Sequence, residues 1–193
     1  SKDSIVYKNG IEMEKLQRSM GKQDQYISVF GGFTVLEIDK SGYVKVKKAK
    51  IKYSVIQELR KNIMMFYTGH QRSNNKILGN QDKATRKDDK KVLDSLHYIK
   101  ESGYKILDIL ENGDVNQLGK MFDEHWEYKK NLSKGISNPK FDNIYKLAKE
   151  SGALGGKISG AGGGGFFTFY CPDNHDALRD KMISLGLREL KFD

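Results

Sequence analysis

Cysteine is almost missing from this chain: its 193 residues include a single one, Cys171. An internal disulfide is therefore excluded, and a reducing cytoplasm is the compartment that fits. With no base beside it, Cys171 at the end of a strand-like run reads as a core or surface thiol rather than a nucleophile. No window approaches the ~18 apolar residues of a membrane span, and the opening SKDSIVYKNG has no secretory apolar segment. A membrane role is not expected. The four histidines, His70, His97, His125 and His175, lack metal-ligand spacing. Internal repeats, low-complexity tracts, an RNP signature, zinc-finger spacing and a recognisable helix-turn-helix are absent as well.

Negative charge is also short, with 25 Asp and Glu against 34 Lys and Arg, a formal charge of +9. Such a balance invites a nucleic-acid reading, and Lys45, Lys47, Lys48, Lys50 and Lys52 crowd one segment. Yet VKVKKAKIKY largely alternates lysine with apolar residues. On a strand this puts most lysines on one solvated face, where they also guard an edge against unwanted pairing. Nucleic acid is not the expected partner, and the charge suits phosphorylated small molecules. With 37% hydrophobic and 31% charged residues, the composition is that of an ordinary globular protein of one or two domains.

Glycine, by contrast, is concentrated in Lys157 to Tyr170, KISGAGGGGFFTFY, where four consecutive glycines pass into alternating aromatic and polar residues. A glycine run permits positive φ and close backbone approach, and its unobstructed N–H groups can form an anion-binding concavity. A flexible spacer would have polar, serine-rich flanks. Here Ile158 precedes the run and Phe166, Phe167, Phe169 and Tyr170 follow, so both ends are expected to anchor in a core. Gly160, Gly162 and Gly165 satisfy G-x-G-x-x-G, but FFTFY reads as a strand where a dinucleotide fold needs a helix. A P-loop fails too, because Lys157 lies before the glycines rather than after them.

The pattern along the chain predicts the tail of a helix over Ile11 to Arg18, then a loop containing Gly21. Strands follow at Tyr26 to Phe30 and Phe33 to Ile38, broken by Gly31-Gly32, and a turn at Asp39 to Gly42 leads into the lysine strand. Ile63 to Tyr67 reads as a buried strand that ends in polar and cationic residues, a common place for a binding site. Val92, Leu96, Ile99, Ile106 and Leu110 recur at helical spacing, with Gly103 a weak point. Leu118, Phe122 and His125 mark a second helix, in which Trp126 and Tyr128 read as packing or site-edge residues. A third has Asn138-Pro139 as cap and first turn, Phe141, Ile144, Tyr145 and Ala148 as its apolar face, and Gly152 as its stop. His175 to Leu185 is a further helix closed by Gly186, and LRELKFD a last strand. This order predicts an α+β fold, an antiparallel sheet with helices packed on one face.

Four segments taken together, GKQDQY (21–26), VFGGF (29–33), FYTGHQRS (66–73) and KISGAGGGGFF (157–167), resemble the GHMP kinase superfamily. Within it the likeness is greatest to the D-glycero-D-manno-heptose 7-phosphate kinases, and it covers essentially the whole chain. The resemblance implies a GHMP kinase C-terminal domain, a ferredoxin-like variant, over residues 57–193. Residues 1–56 would be the tail of the N-terminal domain, with the catalytic Asp loop and a β-hairpin. One departure matters: the family's GLGSS-type nucleotide-phosphate loop lies upstream of everything here. Both ends read as cut, and the segment is expected to be inactive without the missing N-terminal portion.

The function so implied is ATP-dependent phosphorylation of a sugar phosphate, at the anomeric hydroxyl of D-glycero-D-manno-heptose 7-phosphate, for nucleotide-activated heptose and surface polysaccharide (capsule or lipopolysaccharide) synthesis. ATP is the co-substrate and Mg²⁺ the cofactor. By resemblance, Asp24 of the GxxDQ segment takes or orients the hydroxyl proton; without the resemblance it would read as a turn residue. Lys22 holds Asp24 ionised or contacts phosphate, and Gln25 orients the sugar or serves as a plain loop hydrogen-bonder. Glu12, twelve residues before Asp24, is the implied Mg²⁺ ligand, with Glu14 in reserve. Ser159, Gly160, Ala161, Gly162 and Gly163 support the phosphate loop and substrate pocket. Arg72 and Ser73 are the candidates for the sugar's existing phosphate, since a guanidinium matches phosphate oxygens bidentately. The amides around Gly160 to Gly163 and the Asp24 carboxylate are expected to converge on one pocket. Two alternatives stay open: another GHMP sugar kinase, galactokinase- or fucokinase-like, and a non-catalytic GHMP-like sensor of sugar and ATP.

Overall fold

The computed structural model describes residues 22–70, 89–133, 135–160 and 162–191, with Lys22 described by its backbone alone. The helix tail expected at Ile11 to Arg18 lies outside them. The chain divides into two compact units, Ser1–Ile51 and Lys52–Asp193.

In the first unit a helix, α1 (Lys22–Phe30), occupies the place expected for a polar loop and a strand. The aromatic and β-branched run YISVF favours extended backbone by composition, but it continues a helix already begun by Lys22 to Gln25. Tyr26 and Phe30 then meet one turn apart with stacked rings. Gly31 ends the helix: its N–H donates to Ile27 O at 2.8 Å, and its φ of 62° is left-handed. Asp24 therefore sits in a first helical turn rather than a loop. The hairpin that follows forms as expected, β1 (Thr34–Ile38) pairing antiparallel with β2 (Val44–Lys48). Its turn is closed by the Asp39 carboxylate, which accepts from the N–H groups of Ser41 and Tyr43 and from the Ser41 hydroxyl. Lys45, Lys47 and Lys48 are exposed while Val44 is buried, so the charges lie on solvated strand surface.

The second unit opens with α2 (Tyr53–Asn62), for which the sequence reading had no element; it buries Val55, Leu59 and Asn62, one stripe at i, i+4, i+7. It runs directly into β3 (Ile63–Tyr67). Next comes α3 (Lys90–Asn112), capped by Asp89, whose carboxylate accepts from the Lys91 and Val92 N–H groups and leaves fewer unpaired donors. Gly113, at φ 91°, stops it. After it lie α4 (Asn116–Lys130) and α5 (Pro139–Glu150), where Asn138 Oδ1 accepts from the Phe141 N–H at 3.0 Å. The chain closes with β4 (Gly155–Ile158), β5 (Phe166–Tyr170), α6 (His175–Ser184) and the short β6 (Arg188–Leu190).

The sheet order is β4-β5-β3-β6, antiparallel throughout. Register places Phe66 opposite Phe167 and Met64 opposite Phe169, so the pleat turns these four to one face with Ile158. Against that face pack Trp126 of α4, Phe141, Ile144 and Tyr145 of α5, and Leu178 and Met182 of α6. Ile63, Met65 and Tyr67 alternate to the other face and are half-buried. The α+β arrangement expected from element order is the one observed. Each fully buried side chain of this size contributes roughly 1.5–3 kcal/mol, which makes the aromatic layer the main source of cohesion. Phe167 is its hub, edge-on to Trp126 and Phe141 and stacked on Phe169 at 5.3 Å. Among the described residues no helix is long and apolar enough to cross a membrane.

Gly103 does not interrupt α3, and a Cβ built there meets nothing within 4 Å. Gly103→Ala is therefore expected to raise unfolding free energy by about 0.5–1 kcal/mol through lost backbone entropy in the unfolded chain. Urea denaturation checks this, and a loss of stability would contradict an uninterrupted, exposed helix at that point.

Candidate active site

The glycine run forms the connection of the β4–β5 hairpin, with a strand before it and a strand after it. Gly160, Gly162, Gly163, Gly164 and Gly165 all have positive φ, from 74° to 148°. Ile158, Phe167 and Phe169 are fully buried, so both ends are anchored in the core. The loop is also tied to its surroundings by its own backbone. Ser159 N–H donates to Phe166 O at 2.8 Å, Gly163 N–H to Ile136 O at 2.8 Å, and Gly165 N–H to His70 O at 2.8 Å. In return, Gly165 O accepts from the N–H and hydroxyl of Thr68 at 2.9 and 3.0 Å. The hydroxyls of Ser159 and Thr168 lie 2.7 Å apart.

Close approach explains two of the glycines. A Cβ at Gly162 would lie 2.8 Å from Ile136 Cγ2, and one at Gly164 would lie 2.6 Å from His70 O. The clearance is used by the protein's own chain, since the loop is pressed against the segment before α5 and the segment after β3. Gly160 is exposed and a Cβ there meets nothing within 4 Å.

Three basic groups line the hairpin, and sequence reasoning had given none of them a role here. Lys129, at the end of α4, donates to Ile158 O at 2.8 Å and Gly160 O at 2.6 Å. Burial, with the charge of Lys157 behind it, pulls its ammonium down to about 8. Lys157 of β4 is likewise lowered by burial, its Nζ 5.1 Å from the centre of the Phe122 ring. Burial first, then Lys157 and Lys129, hold the His125 imidazole down at about 4. The available signal was the i, i+4 spacing of His125 and Lys129, which puts both on one helix face but says nothing of what that face meets.

The end of β3 was expected to border a site, and Thr68 and His70 do reach the glycine loop. His70 Nε2 lies 3.2 Å from Lys140 Nζ. Arg72, Ser73, Ala161, Glu12 and Glu14 fall outside the described residues. Asp24, exposed, and Gln25, half-buried, sit on α1 of the first unit, as does the backbone of Lys22. Asp24 lies in the first unit and the hairpin in the second. Among the described residues no three His, Cys, Asp or Glu side chains gather as a metal site.

Residues 106–186, from mid-α3 through the hairpin to Gly186, match the family model of the GHMP kinases C-terminal domain. Over 160 residues the chain is 36% identical to a D-glycero-alpha-D-manno-heptose 7-phosphate kinase of Campylobacter jejuni subsp. jejuni, covering 83% of this chain and 47% of that protein. A crystal structure of a proposed sugar kinase from Campylobacter jejuni superposes with a TM-score of 0.73 at 29% identity, over 99% of this chain and 54% of the other. A D-glycero-D-manno-heptose 1-phosphate kinase from Bacteroides thetaiotaomicron gives 0.68 at 26%, over 95% and 49%. The chain thus spans about half the length of the relatives it matches.

Two measurements test the site's physics. Gly162→Ala combines left-handed strain of about 1–2 kcal/mol with overpacking on Ile136 of about 1–3 kcal/mol, whereas Gly160→Ala carries the strain alone. Urea denaturation should rank the first clearly worse, and equal losses would mean Ile136 yields freely. For His125, an imidazole at about 4 in the fold against ~6.5 unfolded means the unfolded chain binds more protons between those values. Stability should fall as pH drops from ~6.5 toward 4, and His125→Gln should flatten that slope.

Proposed function

We propose, because this chain carries a GHMP kinase C-terminal domain, that it is the back portion of an ATP-dependent sugar kinase whose acceptor is the anomeric hydroxyl of D-glycero-D-manno-heptose 7-phosphate. The observation that carries the reading is the 36% identity to a heptose 7-phosphate kinase across most of the chain. The glycine hairpin, tied down at Ile136 and His70, supports it as a rigid wall for a phosphate-handling site. The reading calls for a nucleotide-phosphate loop on polypeptide N-terminal to Ser1.

The chemistry is in-line transfer: the sugar hydroxyl oxygen bonds to the γ-phosphorus, the bond to the β–γ bridging oxygen breaks, and ADP leaves. The hydroxyl proton goes to the Asp24 carboxylate, and Lys22, two residues earlier, is the counter-charge or a phosphate contact. Gln25 orients the sugar, and Arg72 with Ser73 takes the phosphate already present. Ser159, Gly160, Ala161, Gly162 and Gly163 back the phosphate loop and substrate pocket. Mg²⁺, held by Glu12, would neutralise charge on the transferring phosphate. The product suits nucleotide-activated heptose synthesis in the cytoplasm for surface polysaccharide.

In the full-length protein, Asp24→Asn is expected to lower kcat by roughly 10²–10⁴; unchanged turnover removes Asp24 from proton transfer. Arg72→Ala should raise KM for heptose 7-phosphate far more than for the unphosphorylated sugar. Equal losses would contradict the phosphate assignment, and a panel of other sugars decides between the heptose and its competitors.

A further inference from the structure

We propose that Lys129 is the positioning residue of the glycine hairpin: its ammonium, reaching over from α4, joins the last carbonyl of β4 to the carbonyl of Gly160 and sets the path on which the chain enters the loop. The exit side is held by packing and by the amides of Gly163 and Gly165 on Ile136 and His70. On the entry side Ser159 is held by its N–H on Phe166 O and its hydroxyl against that of Thr168, but Gly160 beyond it is exposed and has open space where a Cβ would stand. There the bonds from Lys129, at 2.8 and 2.6 Å, link a carbonyl of the buried strand to one in left-handed backbone. Bonds from an ammonium are roughly twice as strong as those from a neutral amine, so the strength of the clamp depends on the proton Lys129 carries.

The surroundings make that proton labile. On its own helix the carboxylates are engaged elsewhere: Asp123 with Lys149 and Tyr145, Glu124 with the Tyr98 hydroxyl, and Glu127 with Lys130. Among the described residues the charge acting on Lys129 is that of Lys157 of β4, and Lys129 in turn acts on His125 of its own helix; both neighbours are basic. Burial and Lys157 bring the ammonium to about 8, against ~10.4 for a free lysine. The clamp is firm below that pH and weakens above it. Global stability runs the other way: between about 8 and ~10.4 the unfolded chain binds more protons, so this group's contribution to folding rises with pH while the loop loosens. A lysine acting only as structural support would not separate the two trends.

The clamp itself stands on geometry, while its value to phosphoryl transfer rests on the kinase reading. The test is a carbon-13 NMR titration of the 193-residue chain, following the carbonyls of Ile158 and Gly160 from about pH 6.5 to about pH 10. Both should move together with a midpoint near 8, while the carbonyls of Phe167 and Phe169 stay still. Lys129→Met should abolish the transition, Lys129→Arg should hold the low-pH shifts across the range, and Lys157→Met should move the midpoint upward by removing a like charge. Static Ile158 and Gly160 carbonyls, or a transition that survives in Lys129→Met, would overturn the proposal. Should Lys129→Met fail to fold, the wild-type titration and the Lys157→Met displacement still decide it. In the full-length kinase, an alkaline fall in kcat/KM that Lys129→Arg flattens would tie the clamp to turnover. A flat profile beside an intact carbonyl titration would confine the clamp to loop geometry and break its link to catalysis, whereas loss of all kinase activity would speak against the functional reading alone.

Discussion

Backbone approaches that leave no room for a Cβ hold the β4–β5 hairpin in place. A Cβ at Gly155 would come within 2.0 Å of Gly119 O, and one at Gly156 within 2.3 Å of the Phe169 ring. Such clearance lets α4 lie directly on β4, which brings Trp126 onto the ring of Phe167 and His125 and Lys129 beside the glycine loop. Were the helix a few tenths of an ångström further out, the aromatic layer would lose contact energy and the Lys129 bonds would lengthen together, because interiors are close-packed. Core and site thus share one geometric condition.

Charge is distributed against first appearance. The visible lysine run on β2 is solvated, and the ion pair of Lys47 with Glu37 at 2.5 Å is exposed and worth little. The informative cations are Lys129 and Lys157, spaced far apart in sequence and drawn below the ordinary lysine range by burial. The acids of α4 that might have neutralised them are committed to Lys149, Tyr145, Tyr98 and Lys130. The result is a positively biased wall behind the hairpin.

Legibility followed from how local each signal was. Phe141, Ile144, Tyr145 and Ala148 announce a helix because period and cap both lie within one segment, and all four are buried. The Asp39 turn is equally local. YISVF misled because side-chain composition favours a strand while the four preceding residues had already begun a helix, and continuing a helix is easier than nucleating a new element. The α2 stripe of Val55 and Leu59 is too thin to stand out between a lysine run and an apolar strand. In the site, the glycine hairpin was visible because positive φ over several residues has few other uses. Lys129 was not, since nothing in WEYKK marks one lysine as buried.

What the amino-acid order determined by itself was the set of local elements and the chemical kind of the loop: strand, glycine turn, strand, with core anchors at both ends. Backbone conformational limits and hydrophobic period act over a few residues, so they can be read from a few residues. Tertiary structure alone decided which lysines lose their water, which carbonyls they meet, and that the glycines serve close contact with Ile136 and His70. Those outcomes depend on burial and on distances between segments tens of residues apart, quantities that exist only once the sheet has paired and α4 has settled on its edge.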